Sequence, residues 1–209
     1  MNIRALNEQV LVVEFSGGIN LENTQKVLAL KKTIDQIKKP GVLESWTGYD
    51  TVAIAYDPAK ANFEGLKSWV SSLEYDPDTV TGGKIHRIPV RYHLDSPDMI
   101  HLAKCKGLTP EIIASIHQEP AYIVAMLGFQ PGFPFLIGLP GKLHHPRKSI
   151  PSPRVRAGSV AIGGSQTGIY PSPSAGGWHV IGETEVKLFT KPDQFLFEAG
   201  DQVKFVPLV

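Results

Sequence analysis

The sequence predicts an α+β protein made of two domains, a small α/β sandwich followed by a β-barrel. The chain has 209 residues, more than the roughly 100 to 150 residues that one domain commonly holds. Strand and helix patterns alternate over the first 75 residues. Beyond Pro120 the helical periodicity disappears, and short apolar runs alternate with glycine and proline turns, which is typical of a closed or partly closed barrel.

The first domain, residues 1–80, is predicted to have four strands and two helices. Val27, Leu30, Ile34 and Ile37 recur at helical spacing, so the first helix has one apolar face that needs a sheet to cover it. Asn20 is the predicted N-cap of this helix. The predicted strands are Ile3 to Leu6, Val10 to Phe15, Val42 to Trp46 and Thr51 to Tyr56, with helices from about Leu21 to Lys38 and from Phe63 to Leu73.

The polar segment Glu74 to Lys84 is the predicted linker, because it is acidic at first and ends in glycines. The second domain then covers residues 85–209. It begins with a strand at Ile85 to Tyr92 and two short helices, the second with Thr109 as N-cap and Pro110 at the first helical position. The later predicted strands are Tyr122 to Leu127, Ser159 to Ile162, Val186 to Leu188 and Gln202 to Val206.

Overall composition points away from several classes of partner. The formal net charge is +1, from 21 basic and 20 acidic residues, so we expect neither nucleic acid nor an anionic membrane as a partner. No run of about 18 apolar residues is present that could cross a bilayer, and the amino-terminal residues read as strands rather than a signal peptide. The single Cys105 fits a reducing cytoplasm.

One long segment stands out by its charge. From Pro120 to Gly182 the chain runs 63 residues without an Asp or Glu, yet it holds 11 glycines, 9 prolines and several basic side chains. Glycine and proline give little intrinsic order, so the surrounding fold must hold these loops. Backbone N–H groups and arginines held in this way suit an anion. The alternative is a set of tight turns, but the missing acids favour an anionic ligand.

Four motifs in this segment carry a family resemblance. They are GFQPGFPF from Gly128, PRKSIPSPRVRAGSVAIGG from Pro146, SQTGIYP from Ser165 and GGWHVIGET from Gly176. In this order they resemble the family of the 5-oxoprolinase B subunit, also called the KipI or allophanate hydrolase subunit 1 family. The resemblance covers essentially the whole chain. It implies a ferredoxin-like first domain and a cyclophilin-like barrel as the second.

The resemblance also implies an activity and partners. Members act as the B subunit, together with the A and C subunits of the 5-oxoprolinase complex, in the ATP-dependent opening of 5-oxoproline to glutamate. A lactam is a poor electrophile, and phosphorylation of its oxygen supplies a good leaving group. ATP binding here cannot be of the P-loop kind, because the stretch from Gly138 to Lys142 only superficially echoes that motif. The alternative is a regulatory module that blocks autophosphorylation of a sensor histidine kinase.

Site residues follow from matching the family motifs. The resemblance implies Gln166, Thr167 and Tyr170 as substrate contacts, and Arg154 as the partner of an anionic group. His179 is the catalytic candidate, as a proton shuttle or as a hydrogen-bonding group.

Other side chains of the segment are given structural or open roles. His144 and His145 are adjacent in the sequence, lack the spacing of a chelating pair, and are interpreted as loop residues, so no metal site is predicted. Four aromatic residues either line a pocket or pack in the barrel core, and core packing is the favoured interpretation. They are Phe129, Phe133, Phe135 and Trp178.

Overall fold

The computed structural model describes residues 1–80, 83–191 and 194–208. Residue contacts divide the chain into two compact units, residues 1–82 and 83–209. Thr81 and Gly82 of the predicted linker lie outside the described residues. None of the helices in the described ranges is long and apolar enough to span a membrane.

The first unit is an antiparallel sheet with two helices. The sheet order is β1-β2-β4-β3, and a short 3-10 helix at Pro77–Val80 follows the last α-helix. The elements are β1 Asn2–Asn7, β2 Val10–Glu14, α1 Leu21–Ile37, β3 Val42–Thr47, β4 Thr51–Tyr56 and α2 Phe63–Ser71.

The predicted apolar face of α1 packs in the core of this unit. Val27, Leu30 and Ile34 are buried together with the apolar residues of β2 and β4. The predicted cap is confirmed, since the Asn20 side chain accepts a hydrogen bond from the backbone N–H of Asn23 at 2.8 Å. A ferredoxin-like unit runs βαββαβ, whereas this unit runs ββαββα, and the ferredoxin-like description stays a prediction.

The second unit is built on a closed barrel, which confirms the predicted barrel. Its strand order is β10-β7-β6-β15-β5-β12-β9, with β9 paired to β10. The elements are β5 Ile85–Tyr92, α3 Pro97–Lys106, α4 Pro110–Gln118, β6 Tyr122–Leu127, β7 Pro134–Ile137, β8 Ser152–Val155, β9 Ser159–Gly163, β10 Gln166–Ile169, β11 Ser174–Gly176, β12 His179–Glu183, β13 Phe189–Lys191, β14 Gln194–Phe195 and β15 Gln202–Pro207.

Apolar residues from many strands fill the barrel interior. Val90, Val124, Ile162, Ile181 and Phe205, from five different strands, belong to one buried cluster. Strand β15 pairs in parallel with β5 and antiparallel with β6, so it lies between them. The cyclophilin-like description of this barrel stays a prediction from the resemblance.

Helix α4 covers part of the barrel and begins as predicted. The hydroxyl of Thr109 accepts a hydrogen bond from the backbone N–H of Ile112, and Pro110 occupies the first helical turn. The helix carries His117, which is fully buried.

One predicted strand is wrong. Val186 to Leu188 is irregular, and the strand begins at Phe189. The backbone N–H of Val186 is bonded to the side chain of Thr184 at 3.3 Å, which replaces a ladder hydrogen bond with a local turn. Leu188 is buried in the barrel core, so apolar character here reflects burial rather than strand structure.

Candidate functional site

A cavity of about 430 Å³ opens within the acid-free segment. Its walls are aromatic side chains together with one guanidinium and the backbone of residues 175–177. The side chains that define it are Phe129, Phe133, Phe135, Arg147, Tyr170 and Trp178.

The barrel strands fix the aromatic walls. Phe133 precedes β7, Tyr170 follows β10 and Trp178 precedes β12, so three strand ends deliver them to one place. The Phe133 ring lies 5.2 Å from that of Tyr170 and 5.5 Å from that of Trp178, both at 85°. Edge-to-face contacts of this kind hold aromatic rings in defined orientations.

Two positions shape the cavity through the backbone. Phe129 has a positive φ of 64° and is 63% exposed, which places its ring at the rim. Gly163 lies on β9, where an added Cβ would come within 2.6 Å of the Trp178 indole. The close approach of indole and backbone therefore depends on the absence of a side chain at residue 163.

Arg147 is the cation of the cavity. Its guanidinium carbon is 5.7 Å from the centre of the Trp178 ring, within cation–π range. The neighbouring Lys148 pairs instead with Asp98 at 2.6 Å. Arg147 makes no ion pair among the residues that the structure describes, so its charge is available to an anion.

Tyr170 is a neutral phenol in this setting. Burial raises its pKa, a backbone hydrogen bond from Trp178 and the charge of Arg147 oppose that rise, and Asp98 adds to it. A neutral phenol can donate its O–H to a ligand. Of the predicted site residues, Tyr170 is the one among the lining residues.

Gln166 and Thr167 lie in the barrel wall on β10, buried and apart from the cavity lining. The Thr167 hydroxyl donates to the carbonyl of Ala161 at 3.0 Å and lies 2.8 Å from His117 Nε2. His117 Nδ1 is 2.8 Å from the Tyr92 hydroxyl. These contacts form a continuous chain from the half-buried Tyr92 to the buried Ala161.

Donor and acceptor roles along that chain are mutually consistent. Since the Thr167 hydroxyl donates to a carbonyl, it accepts from Nε2–H of His117, whose Nδ1 then accepts from Tyr92. Burial lowers the pKa of His117 to about 3 and raises the pKa of Tyr92. The histidine is therefore neutral at physiological pH.

The two remaining predicted residues also lie outside the cavity lining. Arg154 is exposed on β8, and His179 is buried at the first position of β12. Sequence reasoning counted Arg147 among the cations of the segment without giving it a role. Its position in the loop before β8 carries no motif that singles it out from the other cations of the segment.

The aromatic residues combine the two roles left open by the sequence. Phe133, Tyr170 and Trp178 belong to a small buried cluster that includes Val155 and Ala161. The same three side chains line the cavity. They pack against the barrel on one side and face the cavity on the other.

Three histidines also converge in this unit, although no metal site was predicted. The ligand atoms of His101, His145 and His179 all lie within 4.8 Å of one another. They come from α3, a loop and β12. Because these segments are far apart in the sequence, the spacing of the histidines does not predict a metal site.

Comparison with known proteins identifies the family. Residues 1–196 match the model described as carboxyltransferase domain, subdomain C and D. The chain belongs to this carboxyltransferase-domain family, which includes proteins named as the B subunit of 5-oxoprolinase.

Relatives of that name match nearly the whole chain. The 5-oxoprolinase B subunit of Bacillus subtilis is 36% identical, over 98% of this chain and 91% of the relative. The protein of the same name from Escherichia coli O157:H7 is 33% identical, and the match covers 97% of this chain and 94% of the E. coli protein. Both matches run nearly end to end.

Solved structures support the fold. TTHA0988 has a TM-score of 0.84 and 35% identity, covering 97% of this chain but only 40% of the solved one. The chain thus spans about two fifths of that protein. Kluyveromyces lactis urea carboxylase has a TM-score of 0.76 at 18% identity, and the match covers 99% of this chain and 22% of the urea carboxylase chain. This similarity shows a shared fold.

Proposed function

We propose that this chain is the B subunit of an ATP-dependent 5-oxoprolinase, which acts with the A and C subunits to open 5-oxoproline to L-glutamate. The cavity walled by Tyr170, Trp178 and Arg147 carries the proposal, in a chain 36% identical to a protein of that name. 5-Oxoproline is a small five-membered lactam with two ring methylenes and one carboxylate. Its chemistry is complementary to aromatic walls beside a single guanidinium.

Each part of the substrate has a counterpart in the cavity. Arg147 binds the carboxylate, because a guanidinium offers two parallel N–H donors to two carboxylate oxygens. The faces of Phe133 and Trp178 cover the ring methylenes. Tyr170 donates its O–H to the lactam carbonyl. A volume of about 430 Å³ lies within the range of small-molecule sites.

The contribution of this chain to the complex is binding and orientation. A lactam carbonyl needs activation before water can attack it, and phosphorylation of its oxygen supplies that activation. Holding the ring between aromatic side chains fixes the carbonyl and keeps bulk water from it. Positive charge at Arg147 in the cavity lining favours the anionic intermediate.

We assign this cavity to 5-oxoproline rather than to ATP. A triphosphate needs several cationic or backbone N–H donors, and Arg147 is the cation among the described lining residues. We therefore place ATP on one of the partner proteins. We place the complex in the cytoplasm, where the exposed free Cys105 would stay reduced.

In this proposal the other predicted site residues do not contact the substrate. Gln166 and Thr167 hold strand β10, and with it Tyr170, through contacts in the barrel wall. Arg154, exposed on β8, is assigned to an anionic group outside the cavity. His179 lies one residue from Trp178 and sets the position of that segment through its bond to Pro146.

Glutamate release from 5-oxoproline with ATP tests the proposal. The assay compares this chain alone, its A and C partners without it, and all three together. We expect glutamate only from the complete mixture. An inactive but verified three-component complex would reject the proposal. In that case, inhibition of kinase autophosphorylation by the chain would be the next assay.

A further inference from the structure

Three imidazoles from separate segments meet beside strand β12. His101 is on α3, His145 is in the loop before β8, and His179 begins β12. The rings of His101 and His179 stack at 5.4 Å and 8°, and the His145 ring lies 4.8 Å from that of His179. The convergence of three imidazoles from three separate segments needs an explanation.

His179 is held as a metal ligand would be. Its Nε2 lies 3.0 Å from the carbonyl oxygen of Pro146. A carbonyl can only accept, so Nε2 carries the hydrogen and Nδ1 keeps a lone pair. That Nδ1 is buried and has no hydrogen-bond partner among the described residues. Metal-bound histidines commonly donate their second N–H to a backbone carbonyl in this way.

We propose that His101, His145 and His179 form a binding site for a divalent transition metal ion, with Zn²⁺ as the leading candidate. Imidazole nitrogen is a preferred zinc ligand, at about 2.0 to 2.1 Å. Tetrahedral geometry at that length puts ligand atoms about 3.4 Å apart, against at most 4.8 Å here. Rotation of the exposed His101 side chain can close this difference.

The backbone around the site is fixed on two sides. His145 forms a two-way bridge with Gly164, with N···O distances of 2.9 and 2.7 Å. Asp98, on the same helix as His101, accepts a hydrogen bond from the backbone N–H of Val180 at 2.8 Å. Helix, loop and strand are therefore held together independently of a metal.

Burial favours the metal-binding form of two of the three imidazoles, those of His145 and His179. Burial lowers the pKa of His145, helped by His179, Lys106 and His101. Burial also lowers the pKa of His179, against the opposing effects of Pro146 and Asp98. Neutral imidazoles have the lone pairs that a metal requires.

Three protein ligands leave one position of a tetrahedral ion open. Catalytic zinc sites share this arrangement, with water or substrate in the fourth position. His101 is exposed, so the open position would be reachable from solvent. The fourth ligand would be water or an oxyanion.

Metal titration of the purified full-length chain tests the site. After treatment with a chelator, the chain is titrated with Zn²⁺ against a chromogenic competitor, and with Co²⁺ to record the visible spectrum of a tetrahedral ion. We expect one ion per chain. His101→Ala is expected to weaken Zn²⁺ binding more than about 100-fold, beyond the 10- to 100-fold loss typical of an outer-shell partner.

Matched variants separate this site from simpler explanations. His144→Ala removes a neighbouring imidazole outside the cluster, whose Nε2 bonds to the carbonyl of Leu139, and should bind like the unmodified chain. Cys105 Sγ is 3.6 Å from His101 Nε2, so Cys105→Ser tests whether a surface Cys–His pair is the real site. We expect binding to survive that change.

Several results would overturn the proposal. They are no stoichiometric binding by the intact chain, unchanged binding by His101→Ala, or a loss caused by Cys105→Ser but not by His145→Ala. His101 is exposed, so its replacement is not expected to unfold the chain, and circular dichroism verifies this. These experiments measure metal binding, so their outcome does not depend on whether the chain takes part in 5-oxoprolinase activity.

Discussion

At the residue scale, Arg147 is the side chain on which substrate binding should depend. Arg147→Ala removes the cation of the cavity, and a charged hydrogen bond contributes about 1.5 to 3 kcal/mol. We expect the KM for 5-oxoproline to rise about 10- to 100-fold, measured as glutamate release by the reconstituted complex. Arg156→Ala is the matched control, since Arg156 is exposed and lies outside the lining. Equal KM values for both variants would remove Arg147 from the site.

His117 should make stability depend on pH. Its pKa is about 3 in the folded protein and about 6.5 when unfolded. Between these values the unfolded chain binds a proton that the folded chain does not, so stability falls as pH drops below about 6.5, by up to about 1.4 kcal/mol per pH unit. Urea unfolding at pH 7 and pH 5 measures the loss.

His117→Gln is the control for this prediction. It removes the titrating ring, so the loss of stability between pH 7 and pH 5 should be smaller in the variant. Identical pH dependence in both proteins would assign the effect to other groups, such as His145 and His179, whose pKa values are also lowered.

Individual side chains were the hardest part to predict from sequence. Tyr170 was predicted as a ligand contact from the SQTGIYP motif and lines the cavity. Thr167, three residues earlier, is also buried but lies outside the cavity lining, and nothing in a single sequence distinguishes these two positions. Arg154 was predicted from its place in a motif, whereas the position of Arg147 in the cavity depends on the loop before β8.

At the element scale, the contact between β9 and the segment before β12 should be sensitive to one methyl group. Gly163→Ala places a Cβ within 2.6 Å of Trp178, so the indole must move. Overpacking of this kind costs about 1 to 3 kcal/mol. We expect a lower midpoint of urea unfolding together with a higher KM in the complex.

Gly141→Ala provides the comparison for that variant. A Cβ at Gly141 meets nothing within 4 Å, so stability and KM should stay close to those of the unmodified chain. A Gly163→Ala protein that behaves like Gly141→Ala would mean that the indole is not confined by β9.

Elements with strong periodicity were predicted well. The strands Thr51–Tyr56, Ile85–Tyr92 and Tyr122–Leu127 have the bounds that the sequence indicated. The strand predicted at Val186 to Leu188 was wrong, because a buried irregular segment and a short strand can have the same apolar composition. Strands β7, β8 and β11 have only three or four residues, and β8 and β11 contain proline, serine or glycine, so their patterns were too weak to predict.

At the scale of the whole molecule, each unit has a core of its own. The three clusters of buried apolar residues each fall within one unit. We expect residues 83–209, expressed alone, to fold cooperatively, as judged by near-ultraviolet circular dichroism and urea unfolding. A fragment of residues 83–201 is the control, since it lacks β15 with the buried Val203 and Phe205. Cooperative folding of the shorter fragment would contradict the role given to β15.

The position of β15 also has a consequence for synthesis. A ribosome delivers the chain from its amino end, so β15 emerges after every other barrel strand, yet it lies between β5 and β6. Until then the nascent chain carries two unpaired strand edges, which are prone to wrong pairing. The second unit must therefore complete its fold after translation has passed residue 207, and cells that make this protein need to shield those edges for that interval.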